Sequence, residues 1–268
     1  MISLFLSLLL TTSDAGVFAR PVQVSADRLE IFKKDSRALY SGHAKAVRDT
    51  LTMTCDTIEV RFSARNEVEQ IIASGHVEAI DGDRQAWGDR AVFENATGVL
   101  TVTGNPHGKQ GAREVEGEVV TFVTGSEQVT VTKARTRVQE PKDQRVTIDA
   151  DELVMRSRDS EAVWTGHVRA VKASTLLLAP KLTATWGADG EITRIKAKGG
   201  VEVTDADRWA RGREADYDVP KGVLVVTGNP QARQNGTRLR GTKVTFFTAS
   251  EFLEVENATT IIEGGKKK

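Results

Sequence analysis

The chain says the same thing twice at a fixed interval. "VTGNPHGKQG" begins at Val102 and "VTGNPQARQN" at Val226, and 226 − 102 = 124. Alone, Gly-Asn-Pro is ordinary turn chemistry, because Gly and Asn tolerate positive φ and Pro cannot continue a hydrogen-bonded ladder. The same offset aligns far more without a gap. "SADRLEI" from Ser25 faces "DADELVM" from Asp149, "YSGHAKAV" from Tyr40 faces "WTGHVRAV" from Trp164, and "ASGHVE" from Ala73 faces "AKGGVE" from Ala197. "DRQAWGDRAVF" from Asp83 faces "DRWARGREADY" from Asp207, and "VEGEVVTF" from Val115 faces "LRGTKVTF" from Leu239. The repeating unit is therefore a module of about 120 residues, too long for a propeller blade. A fold that accepts such a unit twice in register must be extensible, as an elongated double-sheet roll is.

Within each module the apolar period is two. Val22, Val24 and Ala26 alternate with polar residues, as do Leu51, Met53 and Cys55, then Ile58, Val60 and Phe62 after a one-residue slip of phase. The second module repeats this with Val146, Ile148 and Ala150, then Leu177, Ala179, Leu182, Ala184 and Trp186. This is the pattern of half-buried antiparallel strands, and no stretch carries a helical period. Words such as "SGH", "DGDR", "ATG" and "TGNP" recur at hairpin spacing, which predicts roughly eleven strands of five or six residues per module. The expected fold class is all-β. Inward positions include Leu29, Ile31, Phe62, Phe93, Val120 and Phe122, and in the second module Leu153, Met155, Trp186, Tyr217, Val244 and Phe246. Parity alone leaves open whether they fill a sandwich core or line a groove.

The expected boundaries are residues 1–19 as a signal peptide, 20–140 and 141–263 as the two modules, and 264–268 as a basic disordered tail. The first segment has a run from Leu4 to Leu10, apolar apart from Ser7, that is too short to span a bilayer, then small residues at Ala15 and Ala19 suited to cleavage. It lacks a positive n-region, so a buried first strand is the alternative. Lys plus Arg equals Asp plus Glu at 37 each, and a net charge of zero gives no global field for nucleic acid. Cys55 is the only cysteine and can form no internal bridge; it reads as a small buried apolar residue.

The words "ADRLEI", "YSGHAKAV", "TMTCDTIEVRF", "IIASGHVEAIDGDRQAWGDRAVF" and "LTVTGNPHGKQG" together resemble the OstA-like family of periplasmic lipopolysaccharide transport modules, in two tandem copies. Each word is weak; their order and spacing, found twice, are specific. Departures are His43, His76 and His167 where the family pattern has Asn, and Pro180 where it has the strand Asp that the first module keeps as Asp56. Pro180 predicts a bulge or an edge. The resemblance implies an open, V-shaped, elongated β-jelly roll in the periplasm whose apolar interior receives the acyl chains of lipopolysaccharide. Its groove residues would be Ile31, Met53, Ile58, Val60, Phe62, Phe93 and Phe122, then Met155, Leu177, Leu182, Trp186, Tyr217 and Phe246. Partners implied are the other lipopolysaccharide transport proteins of the inner and outer membrane, with head-to-tail stacking of copies through open sheet edges. The alternative is a structural or interaction β-solenoid with a filled core and no lipid.

Chemistry is not expected. Neither His43 nor His167 has a ligand neighbour in sequence, and no H-E-x-x-H, Cys pair or calcium-loop spacing occurs, so neither metal nor cofactor is expected. "GNPHGKQG" lacks the P-loop pattern and no helix follows it. Asp27 and Asp151 open strand words and read as turn-capping carboxylates rather than general acids. Arg84 and Arg208 share the "DR" position after a turn, where a guanidinium could meet a lipid phosphate or simply be solvated beside its own Asp.

Overall fold

The structure, a computed structural model, describes residues 22–139, 145–206, 208–234, 237–247 and 252–262. The expected signal peptide and basic tail lie outside the described residues. The described fold is all-β, with a turn of 3-10 helix at Lys33–Asp35 and no α-helix among the described residues.

The first twelve strands are β1 (Gln23–Ser25), β2 (Arg28–Phe32), β3 (Arg37–Arg48), β4 (Leu51–Phe62), β5 (Val68–Asp81), β6 (Arg84–Glu94), β7 (Val99–Thr103), β8 (His107–Gln110), β9 (Arg113–Glu116), β10 (Val119–Val123), β11 (Gln128–Thr132) and β12 (Arg135–Gln139). The next twelve are β13 (Arg145–Asp149), β14 (Glu152–Arg156), β15 (Glu161–Lys172), β16 (Thr175–Trp186), β17 (Ile192–Asp205), β18 (Arg208–Asp218), β19 (Val223–Thr227), β20 (Gln231–Gln234), β21 (Thr237–Arg240), β22 (Lys243–Phe247), β23 (Phe252–Glu256) and β24 (Thr259–Ile262). From β2 to β11 every boundary returns 124 residues later, from β14 to β23. Chain contacts divide the protein into two compact units, one of residues 22–136 with 154–159 and one of the described residues among 137–153 and 160–262.

The expectation of short strands is corrected in the middle of each repeat. β3, β4, β5 and β6 run 12, 12, 14 and 11 residues. "SGH" at Ser41–His43 is not a hairpin turn. It is a bulge inside β3, where the register with β4 jumps between Ser41 and Ala44. Gly42 and His43 both have positive φ (77° and 45°), and Gly75 and His76 repeat this in β5 (78° and 47°). Positive φ is a signal shared by turns and bulges, so the residue types alone do not separate them. The phase slip between Cys55 and Ile58 is the matching irregularity in β4. Pro180 sits at the equivalent shift in β16, between Leu178 and Lys181, where its missing N–H costs no ladder bond.

These bulges form a seam across the first repeat and split it into two half-sheets. On one side β1 pairs with the C-terminal half of β3, and β8 with the N-terminal half of β6. On the other, β2 pairs with the N-terminal half of β3, and β7 with the C-terminal half of β6 before passing to β10 and β11. The long strands belong to both.

Cross-strand partners share a face, so the register converts parity into rows. One row runs Ile31, Ala38, Val60, Ile71, Phe93, Leu100, Phe122, Val129. The next runs Leu29, Tyr40, Ile58, Ala73, Ala91, Val102, Val120, Val131 along the same ladders. In the second repeat the same rows hold Ala184, Ile195, Tyr217, Leu224 and Phe246, then Trp164, Leu182, Ala197, Ala215, Val226 and Val244. Ala44, Cys55, Ile58, Ala73, Val77 and Ala91 are the buried centre of the first unit.

Two outcomes follow from this geometry. A Cβ on Gly75 would collide with the Asp56 carboxylate and also adopt left-handed φ, so Gly75→Ala should cost about 2 kcal/mol, whereas Gly125→Ala, with nothing near it, should stay within about 0.5 kcal/mol in urea unfolding. Burial is the main cause that pushes the Cys55 thiol up to about 11, so it should resist thiol reagents at pH 8 in the folded protein. Cys55→Ala should lose about 1 kcal/mol or less by thermal unfolding, since the second repeat buries Ala179 there.

Candidate functional site

The first unit holds an apolar cleft of about 130 Å³ to which both half-sheets contribute. Val24, Ala46 and Met53 come from one side of the seam, and Ile58, Val60, Ile71, Phe93 and Leu100 from the other. Arg48 and Thr124 supply its polar edge. Water gains little in such a lining, because it offers few hydrogen-bond partners.

Of the residues expected in a groove, Met53, Ile58, Val60 and Phe93 line this cleft. Three others in the same repeat do not. Phe122 is buried in the packed part of its row. Phe62 is half-buried beyond the register shift between Arg61 and Phe62. Ile31 shares the row of Val60 but is 67% exposed, because β2 ends that row and carries it to its margin. Ile71 and Leu100 line the cleft and were not singled out by sequence; both are direct cross-strand neighbours of Phe93, a relation that needs the register.

Met155, within the 154–159 segment of the first unit, is buried; in the second unit Leu182 and Trp186 are buried, while Leu177, Tyr217 and Phe246 are half-buried. Trp164 and Trp186 replace Tyr40 and Phe62 there and fill more space. The two depressions described in this unit are lined by other residues, chiefly Arg211, Arg213, Gln231, Arg233 and glycines.

Along the seam, the left-handed glycines Gly42, Gly75, Gly104 and Gly166 each lie against an aspartate side chain. Asp27 donates its N–H to the Gly42 carbonyl at 2.9 Å, Asp89 to Gly104 at 3.1 Å and Asp151 to Gly166 at 2.9 Å. The following histidine returns to the same carboxylate: His43 Nδ1 is 2.7 Å from Asp27, His76 Nδ1 3.0 Å from Asp56, and His167 Nδ1 2.6 Å from Asp151. The turn-capping reading of Asp27 and Asp151 is thus met at a bulge, and each histidine acquires a carboxylate partner that sequence spacing did not show. All three pairs are exposed.

Arg208 Nη2 is 2.6 Å from Asp205 Oδ2, and Asp205 also accepts from the Ser174 hydroxyl at 2.7 Å. That hydroxyl first, with the Arg208 guanidinium, holds the Asp205 carboxyl below the usual carboxylate range. Arg84 is half-buried at the start of β6, opposite Asp81 and Gln110.

His43 makes a pH test. Its hydrogen bond to Asp27, and then the charge of that carboxylate, raise it above the ordinary 6.5. A raised histidine contributes stability that is full below 6.5 and is lost as pH rises through the folded value. Imidazole resonances in an NMR titration should place His43 above 6.5, and Asp27→Asn should return it towards 6.5.

A family profile described as "LptA/(LptD N-terminal domain) LPS transport protein" matches residues 23–128 and again 147–252. An uncharacterised protein of Rhizobium meliloti (strain 1021) is 25% identical over 107 residues, 37% of this chain, and the chain spans 58% of that relative's length. Among solved structures, LptH of Pseudomonas aeruginosa, described as the LptA homologous periplasmic component of the lipopolysaccharide transport device, is 17% identical with a TM-score of 0.41, over 44% of this chain and 95% of that one.

Proposed function

Since the chain belongs, in two copies, to the LptA/(LptD N-terminal domain) family of LPS transport proteins, we propose that it is a periplasmic carrier or bridge that holds lipopolysaccharide by its acyl chains. The observation that carries this reading is the cleft between the half-sheets of the first unit, lined by Met53, Ile58, Val60, Ile71, Phe93 and Leu100. Each methylene taken from water into such a lining contributes about 0.8 kcal/mol, so ordered acyl chains need no polar anchor. In this reading the rows form the inner walls of an open, V-shaped jelly roll, and sugars and phosphates stay in water. The modules are residues 20–140 and 141–263. The first loads lipid, and the second, with Trp164, Leu182 and Trp186 buried, is the more filled.

Flanking partners would be other transport modules or further copies, joined at sheet edges. Leu29 and Ile31 support this: they are 49% and 67% exposed on β2, whereas their repeat equivalents Leu153 and Met155 are buried. Apolar side chains on a marginal strand favour an added strand.

A photo-crosslinking residue at Val60 or Phe93 should capture radiolabelled lipopolysaccharide, and one at Glu59 or Thr183 should not. Phe93→Glu should abolish capture from Val60 while circular dichroism stays native, because an open cleft lets water reach the charge. In a closed core the same carboxylate would cost several kcal/mol and unfold the unit. Equal capture from Glu59 and Val60 would overturn the reading.

A further inference from the structure

We propose that the outward face of β18, β20 and β21 in the second unit is a binding site for phosphate groups. Its side chains form two adjacent rows. Trp209 lies opposite Arg233, and Arg233 opposite Arg238; Arg211 lies opposite Gln231, and Gln231 opposite Arg240. Together with Ala232 and Leu239 they line a depression of about 340 Å³. A second depression, of about 520 Å³, shares Arg211 and Gln231 and adds Arg213 against Gly199, Gly200, Gly212 and Gly228. The glycines leave that floor without side chains.

The first repeat shows what this face looks like without such a role. Subtracting 124, the positions of Arg213, Arg238 and Arg240 are Asp89, Glu114 and Glu116, and that of Pro180, against Gly199, is Asp56. There the charges neutralise one another: Lys109 pairs with Glu114 at 3.8 Å and Arg135 with Glu116 at 3.9 Å. In the second repeat one ladder position sets Arg233 directly against Arg238. Like charges directly opposite each other are unfavourable in a sheet, so the pairing at this ladder position does not itself favour the exchange. Four carboxylates have gone and three arginines stand in their places, on an unchanged backbone register.

The cations are all arginine, whose planar fork matches phosphate oxygens two at a time, where lysine acts as a point charge. One of them is held in place. Arg211 donates from Nη2 to Gln231 Oε1 at 2.9 Å and lies over the Trp209 ring, 5.5 Å from its centroid. Trp209 is fixed in turn by its indole N–H, which donates to Glu202 at 2.9 Å. Arg213 is packed beside Gly228, where any Cβ would strike its own. Guanidinium groups gathered around a concave floor suit a phosphomonoester or diphosphate, carried by a lipid headgroup or free.

The test uses the full chain and two probes without acyl-groove chemistry in common: inorganic pyrophosphate by calorimetry, and flotation with phosphatidylcholine vesicles with and without phosphatidic acid. The variant Arg238→Glu with Arg240→Glu copies Glu114 and Glu116, which the same register carries in the first repeat, so its circular dichroism should stay native. It should bind at least tenfold more weakly. Lys45→Glu with Arg90→Glu makes the same change of net charge in the first unit and should bind as the wild type does. Binding of pyrophosphate identifies free phosphate as a sufficient ligand; binding of phosphatidic acid vesicles alone identifies a headgroup. The proposal fails if the wild type binds neither probe, if the Arg238/Arg240 variant binds undiminished, or if the control weakens equally, which would mean diffuse attraction. Pyrophosphate cannot enter an apolar cleft, so failure here leaves the acyl-chain reading intact, and the reverse also holds.

Discussion

β3 and β5, and β15 in the second repeat, change register where a left-handed glycine lies against a neighbouring aspartate. Gly42 faces Asp27, Gly75 faces Asp56, Gly104 faces Asp89 and Gly166 faces Asp151. No Cβ fits there, and the N–H groups of Asp27, Asp89 and Asp151 bond to the carbonyls of Gly42, Gly104 and Gly166, so a Gly-His or Gly-Asn word on one segment and an Asp on its neighbour go together at these places. Without this seam the inner rows of β3 to β6 would be continuous and could not present two walls. The cleft in the first unit, with Met53 on one side of the seam and Ile58 on the other, is a consequence of it.

The seam also explains why the alignment of the two repeats needs no gap. A bulge adds one residue to one strand, and deleting it would move every inward side chain beyond it to the outer face. Insertions are therefore excluded inside β3 to β6, while substitutions are restricted only where a side chain points at the seam or into a row. Pro180 and Gly199 show the tolerance available: the carboxylate is gone, a proline ring now lies against the glycine, and the register shift stays where it was.

How much was legible follows from which facts are local. The period of two, the phase slip after Cys55 and the 124-residue offset are properties of single strands, and they gave the all-β class, the repeat and most of the inward set correctly. Whether "SGH" turned the chain or merely bulged it was not local, since Gly42 and His43 adopt left-handed φ in either case. The pairing of His43 with Asp27 joins residues 16 apart on different strands, and Ile31 is exposed because of where β2 stands, not because of what precedes or follows it. Ile71 and Leu100 became visible only once the ladders placed them beside Phe93.

The arginine face is the clearest case of information that sequence held but did not order. Arg211, Arg233, Arg238 and Arg240 look like scattered charges until β18, β20 and β21 are laid side by side, when they fall into two adjacent rows. Their significance comes from the other repeat, which carries the same rows with Glu114 and Glu116 in them and balances their charge. One repeat thus serves as the internal reference for the other. A backbone whose register is fixed by the seam leaves its outer face free to vary, and the exchange of Glu114 and Glu116 for Arg238 and Arg240 is a change of that kind. The phosphate ligand proposed for that face, together with inner positions that exchanged Tyr40 and Phe62 for Trp164 and Trp186, fits two modules that share a fold and differ in what each surface meets.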